Sequence, residues 1–386
     1  MTDAPETFLW EIIKQAQLLA CLKWLSKFEI LAIVPAQGQV SYQDAADLAD
    51  VSVEQLSRIV RFTATSGFLR ETESGMLAHS RLSTEFAEKS SLLDATSFIC
   101  DTAVPTSLRM ADATRRNAVS QHSQHCAFQF VSPQSVSLQR ACEDKPRLQR
   151  ELAAFQSIQD TLIDQSTADV LLSSDWAKLR VATVVEVGAR STSTAYALAQ
   201  KAPELHVIVQ LREDAARQQS GPKDIALLRQ TAEGRVEVQE RLPGSPQTIQ
   251  DAAVYVLHFP GPSLTAPFSS LREHILRDLR VHFNVLRTNR SATLILVVRL
   301  LPDPAQHNDP DREAAARVQD LLLMQMANER EWDLQLLMEL LDEVSDATGR
   351  MVITHNHSSR EKHAAVVLEV QIRPRSTNGL RVLGTL

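Results

Sequence analysis

One predicted loop lies between a strand and a helix, where phosphate- and cofactor-binding loops occur, but it lacks most of the glycines that such loops contain. The β-branched run Thr183–Val187 predicts a buried parallel strand and Ser191–Lys201 predicts a helix, so the loop joins a strand to a helix. Glycines in such a turn let the backbone approach a ligand closely. Only Gly188 remains, and Ala189 and the charged Arg190 follow it. The pattern therefore predicts the frame of a binding site with reduced room for a ligand.

Other residues that could do chemistry have unsuitable spacing. The cysteines Cys21, Cys100, Cys126 and Cys142 form no CxxC pair, which favours neither a zinc site nor a redox motif, and we expect reduced thiols. Two histidines and a cysteine lie in His122–Cys126, but no carboxylate or further cysteine stands at a suitable spacing. We therefore predict no metal site.

The composition is that of an ordinary globular protein. The chain has 386 residues, enough for two domains, of which 44% are hydrophobic and 23% are charged. Its net charge of −7 disfavours binding of the whole chain to DNA or anionic lipid. No apolar run reaches the roughly 20 residues of a membrane span, and the acidic start of the chain is unlike a signal peptide. We expect a location in the nucleus and cytoplasm.

The N-terminal part predicts a winged helix. Phe8–Val34 is helical and apolar over most of its circumference, which suits either a subunit interface or a core helix. Ser41–Ala49 and Val53–Ser66 predict two further helices with serine N-caps. Two strand patterns, Phe68–Glu71 and Met76–His79, then form a hairpin. Helix, turn, helix and hairpin together are typical of a winged helix.

A winged helix can bind DNA or serve as a dimerisation module. Arg58 and Arg61 on its second helix could contact a phosphate backbone. The acidic Glu54, Glu71 and Glu73 lie close by and oppose that contact. The dimerisation or packing role is the interpretation that the charges favour.

The rest of the chain predicts a helical segment, whose last helix is Arg147–Ile163, followed by an α/β domain. We place the helical and winged-helix dimerisation-type domain at residues 1–165 and the α/β domain at residues 166–386. Alternating strands and helices in the second domain predict a mostly parallel sheet with helices on both faces, and an antiparallel edge whose strands are joined by the His355–His363 loop. After Thr183–Val187 and Ser191–Lys201, the predicted elements are His206–Leu211, Asp224–Thr231, Arg235–Gln239, Ala253–Phe259, Ser269–Arg287, Thr293–Leu300, Arg312–Asn328, Glu331–Asp346, Met351–His355 and Ala364–Ile372.

This order of domains resembles the plant and fungal small-molecule O-methyltransferases over nearly the whole chain. The resemblance implies a Rossmann-like methyltransferase fold in which the loop and an acid at the end of the second strand bind S-adenosylmethionine. The segments that carry it are Arg61-Phe62, Gly67-Phe68-Leu69, Val184–Gly188, Pro203-Glu204-Leu205, Leu257-His258 and Leu321–Asn328.

The sequence departs from that family at the residues that would bind the donor and act on a substrate. Gln210 stands where the resemblance places the acid that binds the ribose, and an amide accepts a hydrogen bond less strongly than a carboxylate. His258 matches the family's general base, but Phe259 replaces the Asp expected after it, and Glu329 is the nearest candidate for the carboxylate that orients the base. We therefore expect no bound cofactor, with Gly188, Ala189, Arg190, Thr192 and Gln210 as a degenerate cofactor site.

Five blocks of the sequence carry a closer resemblance: Leu18–Leu25, Phe28–Ala32, Leu77–Ser80, Leu92–Ala95 and Pro203–Arg212. They resemble the transcriptional coactivators of fungal aromatic-polyketide gene clusters, of the aflatoxin-pathway type. This resemblance implies a methyltransferase fold that binds a zinc-binuclear-cluster transcription factor, so that contact with DNA is indirect.

Two classes of function remain open from the sequence. The first is a non-catalytic coactivator that switches on a secondary-metabolite cluster, expected to be a homodimer. It accounts for Ala189, Arg190, Gln210 and Phe259 together, because no ligand needs those positions. The alternative is a methyltransferase-fold enzyme, either an O-methyltransferase or a cyclase acting on a polyketide, with His258 and Glu329 as its catalytic residues.

Overall fold

The computed structural model describes residues 4–117, 125–132, 136–212, 234–303, 310–347, 349–358 and 365–374. The chain divides into two compact units, one made of Met1–Ser120 and Ala127–Gln159, the other of Gln121–Cys126 and Asp160–Leu386. Within the part of the chain that is described, no helix is long and apolar enough to cross a membrane.

The first unit begins with a long helix, α1 (Pro5–Lys27). Proline suits the first turn because its missing N–H would have no partner there. Glu29 has a φ of 54°, a left-handed conformation that ends the helix before a short α2 (Ile30–Ile33). The continuous helix predicted over Phe8–Val34 is therefore broken at Glu29. Residues 4–17, the first half of α1, are exposed.

Two capped helices and a two-stranded sheet follow. The Ser41 hydroxyl accepts a hydrogen bond from the N–H of Asp44 at 3.0 Å, and Ser52 caps the next helix in the same way. Buried Leu56 and Leu77 belong to the hydrophobic core that these elements share with α1 and α2. The elements are α3 (Tyr42–Ala49), α4 (Val53–Ala64), and the antiparallel strands β1 (Leu69–Glu71) and β2 (Leu77–His79).

The rest of the first unit is helical, and its last helix enters the second unit. That helix ends at Ser173 and not at the predicted Ile163, because Val170 and Leu171 are buried in the core of the second unit. The helices are α5 (Arg81–Glu88), α6 (Ser90–Phe98), a π-helical turn (Ile99–Ala103), α7 (Val104–Ser107), α8 (Met110–Asn117), a 3-10 turn (Ala127–Phe130), α9 (Leu138–Asp144) and α10 (Pro146–Ser173).

Over the described residues, the second unit is built on a seven-stranded sheet in the order β5-β4-β3-β6-β7-β9-β8. Strands β3 to β7 pair in parallel, and β9 pairs antiparallel with both β7 and β8. The mostly parallel sheet predicted from the sequence is confirmed. The strands are β3 (Ala182–Ala189), β4 (Leu205–Leu211), β5 (Val236–Glu240), β6 (Val254–His258), β7 (Thr293–Arg299), β8 (Arg350–Ser358) and β9 (Ala365–Arg373).

Helices cover both faces of this sheet, because alternate residues of the buried strands point to opposite sides. On one face Val185 and Val187 of β3 pack with the large apolar side chains of α12 (Phe268–Thr288) and α14 (Leu334–Val344). On the other face Val184 and its neighbours on β4 pack with α11 (Ser193–Lys201) and the end of α10. One more helix, α13 (Pro310–Ala327), precedes α14.

Two boundaries of the second unit differ from the sequence prediction. Strand β8 continues to Ser358, so the predicted loop over His355–His363 begins later than expected. Helix α14 begins at Leu334 and not at Glu331, because the carboxylate of Asp333 accepts from the N–H of Leu336 at 2.7 Å and caps the helix there. The predicted helix Asp224–Thr231 lies outside the described residues.

Candidate functional site

The order of the strands places the candidate site at one edge of the sheet. The chain passes from β3 to β4 on one side and returns to β6 on the other, so the direction of winding changes between β3 and β6. In open α/β sheets, ligands bind beyond the carboxyl ends of the strands at such a point. Gly188 near the end of β3 and His258 at the end of β6 both line a cleft there.

Gly188 is required at its position by backbone conformation. Its φ of 71° is a left-handed conformation that residues with a side chain rarely adopt. The pairing of β3 with β4 also shifts register between Val187 and Ala189. The loop therefore keeps the glycine that its left-handed turn needs.

Ala189 and Thr192 do not narrow the cleft. Ala189 is only 1% exposed, and its methyl group lies in the hydrophobic core formed with α11 and β4. Thr192 is buried as well, directly before α11, which begins at Ser193 and not at the predicted Ser191. The expectation that Ala189 would take room from a ligand is therefore wrong, because this side chain packs into the core.

Arg190 is the loop residue that fills space in the cleft. Its Nη1 lies 2.8 Å from Oδ1 of Asp160 and 3.7 Å from Oδ1 of Asp164, both on α10. Burial raises the pKa of the Asp164 carboxyl, and the charge of Arg190 opposes that shift. The guanidinium thus connects the loop after β3 to α10.

Gln210 on β4 is fully engaged by another glutamine. Its Nε2 donates to Oε1 of Gln247 at 2.8 Å, and Nε2 of Gln247 donates back to Oε1 of Gln210 at 2.9 Å. Both residues are buried. Oε1 of Gln247 also accepts from the N–H of Ile249 at 3.2 Å. The group expected near a ribose is therefore part of a closed, buried amide pair.

His258 pairs with a carboxylate that the sequence reasoning did not identify. Its Nε2 lies 2.8 Å from Oε1 of Glu186, which is buried in the middle of β3. Oε1 of Glu329 instead accepts from the backbone N–H of Phe268 at the start of α12, at 3.2 Å. The carboxylate beside His258 is therefore Glu186 and not the predicted Glu329, because the strand order places the middle of β3 next to the end of β6.

The opposite wall of the cleft holds a third pair of charged side chains. Arg299 at the end of β7 forms an ion pair with the fully buried Glu331. Burial raises the pKa of the Glu331 carboxyl, and the neighbouring Arg299 works against that shift. Beside this pair lies Trp332, whose Nε1 donates to the backbone oxygen of Pro260 at 3.4 Å. This wall is therefore held by contacts within the chain.

The residues present do not fit S-adenosylmethionine. The cavity within the cleft is about 30 Å³, which is room for about two water molecules. The resemblance to O-methyltransferases places Arg190 and Gln210 at the donor, and these side chains are already bound to Asp160 and Gln247.

The remaining residues considered in the sequence give no second site. Cys126 is buried, and its thiol donates to the backbone oxygen of Met326 at 3.2 Å, whereas residues 122–124 lie outside the described residues. His355 and His357 lie on β8, 3.0 and 3.5 Å from the two oxygens of Glu369. Across the described ranges, no group of three or more His, Cys, Asp or Glu side chains is arranged to hold a metal ion.

Comparison with known sequences gives relatives over almost the whole chain. The monodictyphenone cluster transcriptional coactivator of Emericella nidulans is 39% identical, with 96% of this chain and 85% of that protein covered. A transcriptional coactivator of Pseudocercospora fijiensis is 40% identical over 92% of this chain and 96% of its own length. The agnestins biosynthesis cluster coactivator of Paecilomyces divaricatus is 38% identical over 96% of this chain and 83% of that protein. No protein-family model matches the chain.

Solved structures show the same fold at low sequence identity. A riboflavin-derivative dimethyltransferase of Streptomyces davawensis aligns with a TM-score of 0.69 at 15% identity, with 96% of this chain and 99% of that chain covered. A pericyclic reaction enzyme aligns with a TM-score of 0.66 at 14% identity, with 96% and 90% covered. The fold is therefore methyltransferase-like. By its sequence relatives, the chain belongs to the family of fungal secondary-metabolite cluster transcriptional coactivators.

Proposed function

We propose that this protein is a non-catalytic transcriptional coactivator of an aromatic-polyketide gene cluster and that it acts by binding a zinc-binuclear-cluster transcription factor in the nucleus. The observation that carries the non-catalytic part is that the polar side chains of the cleft are bound by other side chains of the protein. Arg190 and His258 line the cleft, and each is bound by another side chain of the same unit. Gln210 at the end of β4 is bound by Gln247. The coactivator part is supported by relatives named as coactivators along almost the whole chain.

Indirect contact with DNA is supported by the pairing of the arginines on α4. In our proposal α3, α4 and the β1–β2 hairpin are a winged helix used for packing and dimerisation. Nε and Nη2 of Arg61 donate to the two oxygens of Glu71 at 2.8 and 3.0 Å. Arg58 lies 3.8 Å from Glu54 on the same helix. Each cation that could contact a phosphate thus has a carboxylate beside it, and the partner would read the DNA.

Homodimerisation through α1 is the third part of the proposal. The exposed first half of α1 carries Phe8, Leu9, Trp10, Ile12 and Ile13, of which Trp10 is 66% exposed. Large apolar side chains that lie together on an exposed surface are typical of an interaction site. A second copy of the chain, bringing the same apolar residues, would bury these side chains.

The function is tested by capture of the partner together with measurement of transcripts. The purified full-length chain is expected to retain the zinc-cluster regulator encoded in the same gene cluster. Deletion of its gene is expected to lower the transcripts of neighbouring biosynthetic genes. The chain alone is expected to leave promoter DNA unshifted in a gel and to give no heat with millimolar S-adenosylmethionine. Unchanged transcripts with an altered chemical product would contradict the proposal and favour the enzyme alternative.

A further inference from the structure

Strands β8 and β9 expose one face of the sheet at its edge. Alternate residues of β9 point to opposite faces, and Val370 and Ile372 pack on the side of α12 and α14. On the other face, Val367 is the one described residue of these two strands that belongs to the core formed with α10 and α11. Gln371 and Arg373, which follow on that face, are exposed. A polar surface therefore lies open to solvent at this edge.

Two arginines lie opposite each other at one end of this surface. The register pairs Arg350 at the start of β8 with Arg373 at the end of β9, and both are exposed. Directly opposite residues of an antiparallel pair point to the same face, with Cβ atoms about 4.5–5.5 Å apart. The strands are close at this end, where a Cβ added to Gly349 would lie 3.0 Å from the backbone oxygen of Arg373. The backbone thus holds two positive charges side by side.

These two charges are not balanced within the described part of the chain, where neither arginine has an ion pair or a side-chain hydrogen bond. The carboxylates of the neighbourhood are engaged elsewhere, Asp346 by Arg287 at 3.5 Å and Glu369 by the two histidines of β8. Like charges directly opposite each other destabilise a strand pair. The chain as a whole has a net charge of −7, so this end of the surface is a local excess of positive charge.

Carboxylates fit this surface better than a phosphate backbone does. Two neighbouring guanidinium groups can hold carboxylates by charge-assisted hydrogen bonds. A long polyanion would also meet Glu369 on the same face and the net negative charge of the chain. A short acidic segment can place its carboxylates at Arg350 and Arg373 alone.

We propose that the exposed face of β8 and β9 binds an extended acidic segment of the partner protein, with its carboxylates on Arg350 and Arg373. The proposal rests on the proposed function for the identity of that partner, the transcription factor, and adds the surface and the chemistry of the contact. Reversing the charge of one arginine would turn a repulsive cross-strand pair into an attractive one. The native pair therefore lowers the stability of the isolated chain, and an acidic partner offsets that loss.

The first test separates binding from folding in the full-length wild type, Arg350→Glu and Arg350→Glu/Arg373→Glu. The probe is a fluorescent peptide of alternating glutamate and serine, long enough to span β8, and a peptide with glutamine in place of glutamate is its control. Binding, measured by anisotropy at low salt, is expected to weaken in the single variant and by at least about tenfold in the double variant. Urea unfolding is expected to follow another order, with Arg350→Glu the most stable, because only this variant has opposite charges across the strands.

The second test is capture of the zinc-cluster regulator by the same proteins. The double variant is expected to lose capture. The matched control is Arg277→Glu/Arg290→Glu, which makes the same change of net charge at two exposed arginines, one on α12 and one just after it. This control is expected to bind the peptide and the regulator as the wild type does.

Three results would overturn the inference. They are a wild type that does not bind the glutamate peptide, a folded double variant that binds it as tightly as the wild type, and a duplex oligonucleotide that binds more tightly than the peptide through the same arginines. If the double variant does not fold, Arg350→Gln/Arg373→Gln decides by the same criteria. A wild type that binds the peptide through both arginines but captures no regulator would remove the coactivator proposal alone. Capture that survives in the double variant would remove this inference alone.

Discussion

His258 and Glu186 form an imidazole–carboxylate pair of the kind that serves in general base catalysis. Nε2 and Oε1 are 2.8 Å apart, and the carboxylate is buried within β3. In this cleft the pair faces a space for about two water molecules. We interpret it as a contact that holds the ends of β3 and β6 together.

The interpretation predicts the effect of replacing His258 by Gln. The new side chain can still donate an N–H to Glu186, so we expect a loss of about 0.5–1.5 kcal/mol in the free energy of unfolding and no fall in cluster transcripts or product. Urea unfolding and transcript quantification check this, with His274→Gln on the exposed side of α12 as the control. A folded variant that keeps its transcripts but loses the product would support the enzyme alternative.

For single residues, the sequence was enough to predict where strands end, but not which side chains the residues at those ends contact. Gly188 and His258 follow mainly apolar runs, and such a run can be seen without any structure. Gln247 and Asp160 contact Gln210 and Arg190 only through tertiary folding, and no spacing rule connects them. Glu186 did leave a signal that was missed, because a lone carboxylate inside an apolar strand needs a buried partner.

Helix α1 is the element whose surroundings are least complete. Residues 4–17, at and within its first half, are exposed and carry five large apolar side chains. A single helix of that length is marginal in water unless it packs against something. The apolar run was recognised in the sequence as either an interface or a core helix, and the choice depends on what surrounds it.

We expect Trp10→Glu with Ile13→Glu to convert a dimer into a monomer. Two buried charges at a two-fold interface meet their own copies and are costly to desolvate. Light scattering after gel filtration measures the mass. Leu48→Glu is the matched control, since Leu48 is 72% exposed on α3 of the same unit. A wild-type chain that elutes as a monomer, or a control that also dissociates, would contradict the proposed interface.

Strands and helices were more predictable than their ends. The alternation of strands and helices in the second domain predicted the mostly parallel sheet, because buried parallel strands can be recognised as continuous apolar runs. The break at Glu29 was missed because a left-handed residue without glycine or asparagine leaves no mark in the sequence. The extension of α10 to Ser173 was missed because its last turns are held by packing with the sheet.

The pH dependence of the stability of the whole molecule should reflect one fully buried histidine. His282 on α12 is fully buried, with Nδ1 2.7 Å from the backbone oxygen of Asp278 and its ring at the edge of Tyr255. Burial lowers the pKa of His282 to about 4, and the positive charge of Arg241 adds to this effect. The unfolded chain, whose histidine has an ordinary pKa of about 6.5, therefore binds the proton first.

Stability should fall as the pH falls from about 6.5 to about 4, because the unfolded state gains a proton in that window and the folded state does not. The loss from this residue is on the order of 3 kcal/mol across the window. Urea unfolding at several pH values measures it, and His282→Phe should flatten the slope. His274→Phe, the same change at an exposed position of α12, should keep it. Equal slopes in both variants would show that other groups cause the pH dependence.

The position of β9 has a consequence for mapping the partner's contact surface by deletion. β9 is the last strand of the described residues but lies inside the sheet, between β7 and β8. A protein shortened before Ala365 would lack β9. Strands β7 and β8 would then both lose the strand with which they pair, and their backbone hydrogen-bonding groups would be left open. Lost capture by such a fragment would report a collapsed scaffold rather than a missing epitope. Point substitutions on exposed side chains are therefore the proper tool for locating where the transcription factor docks.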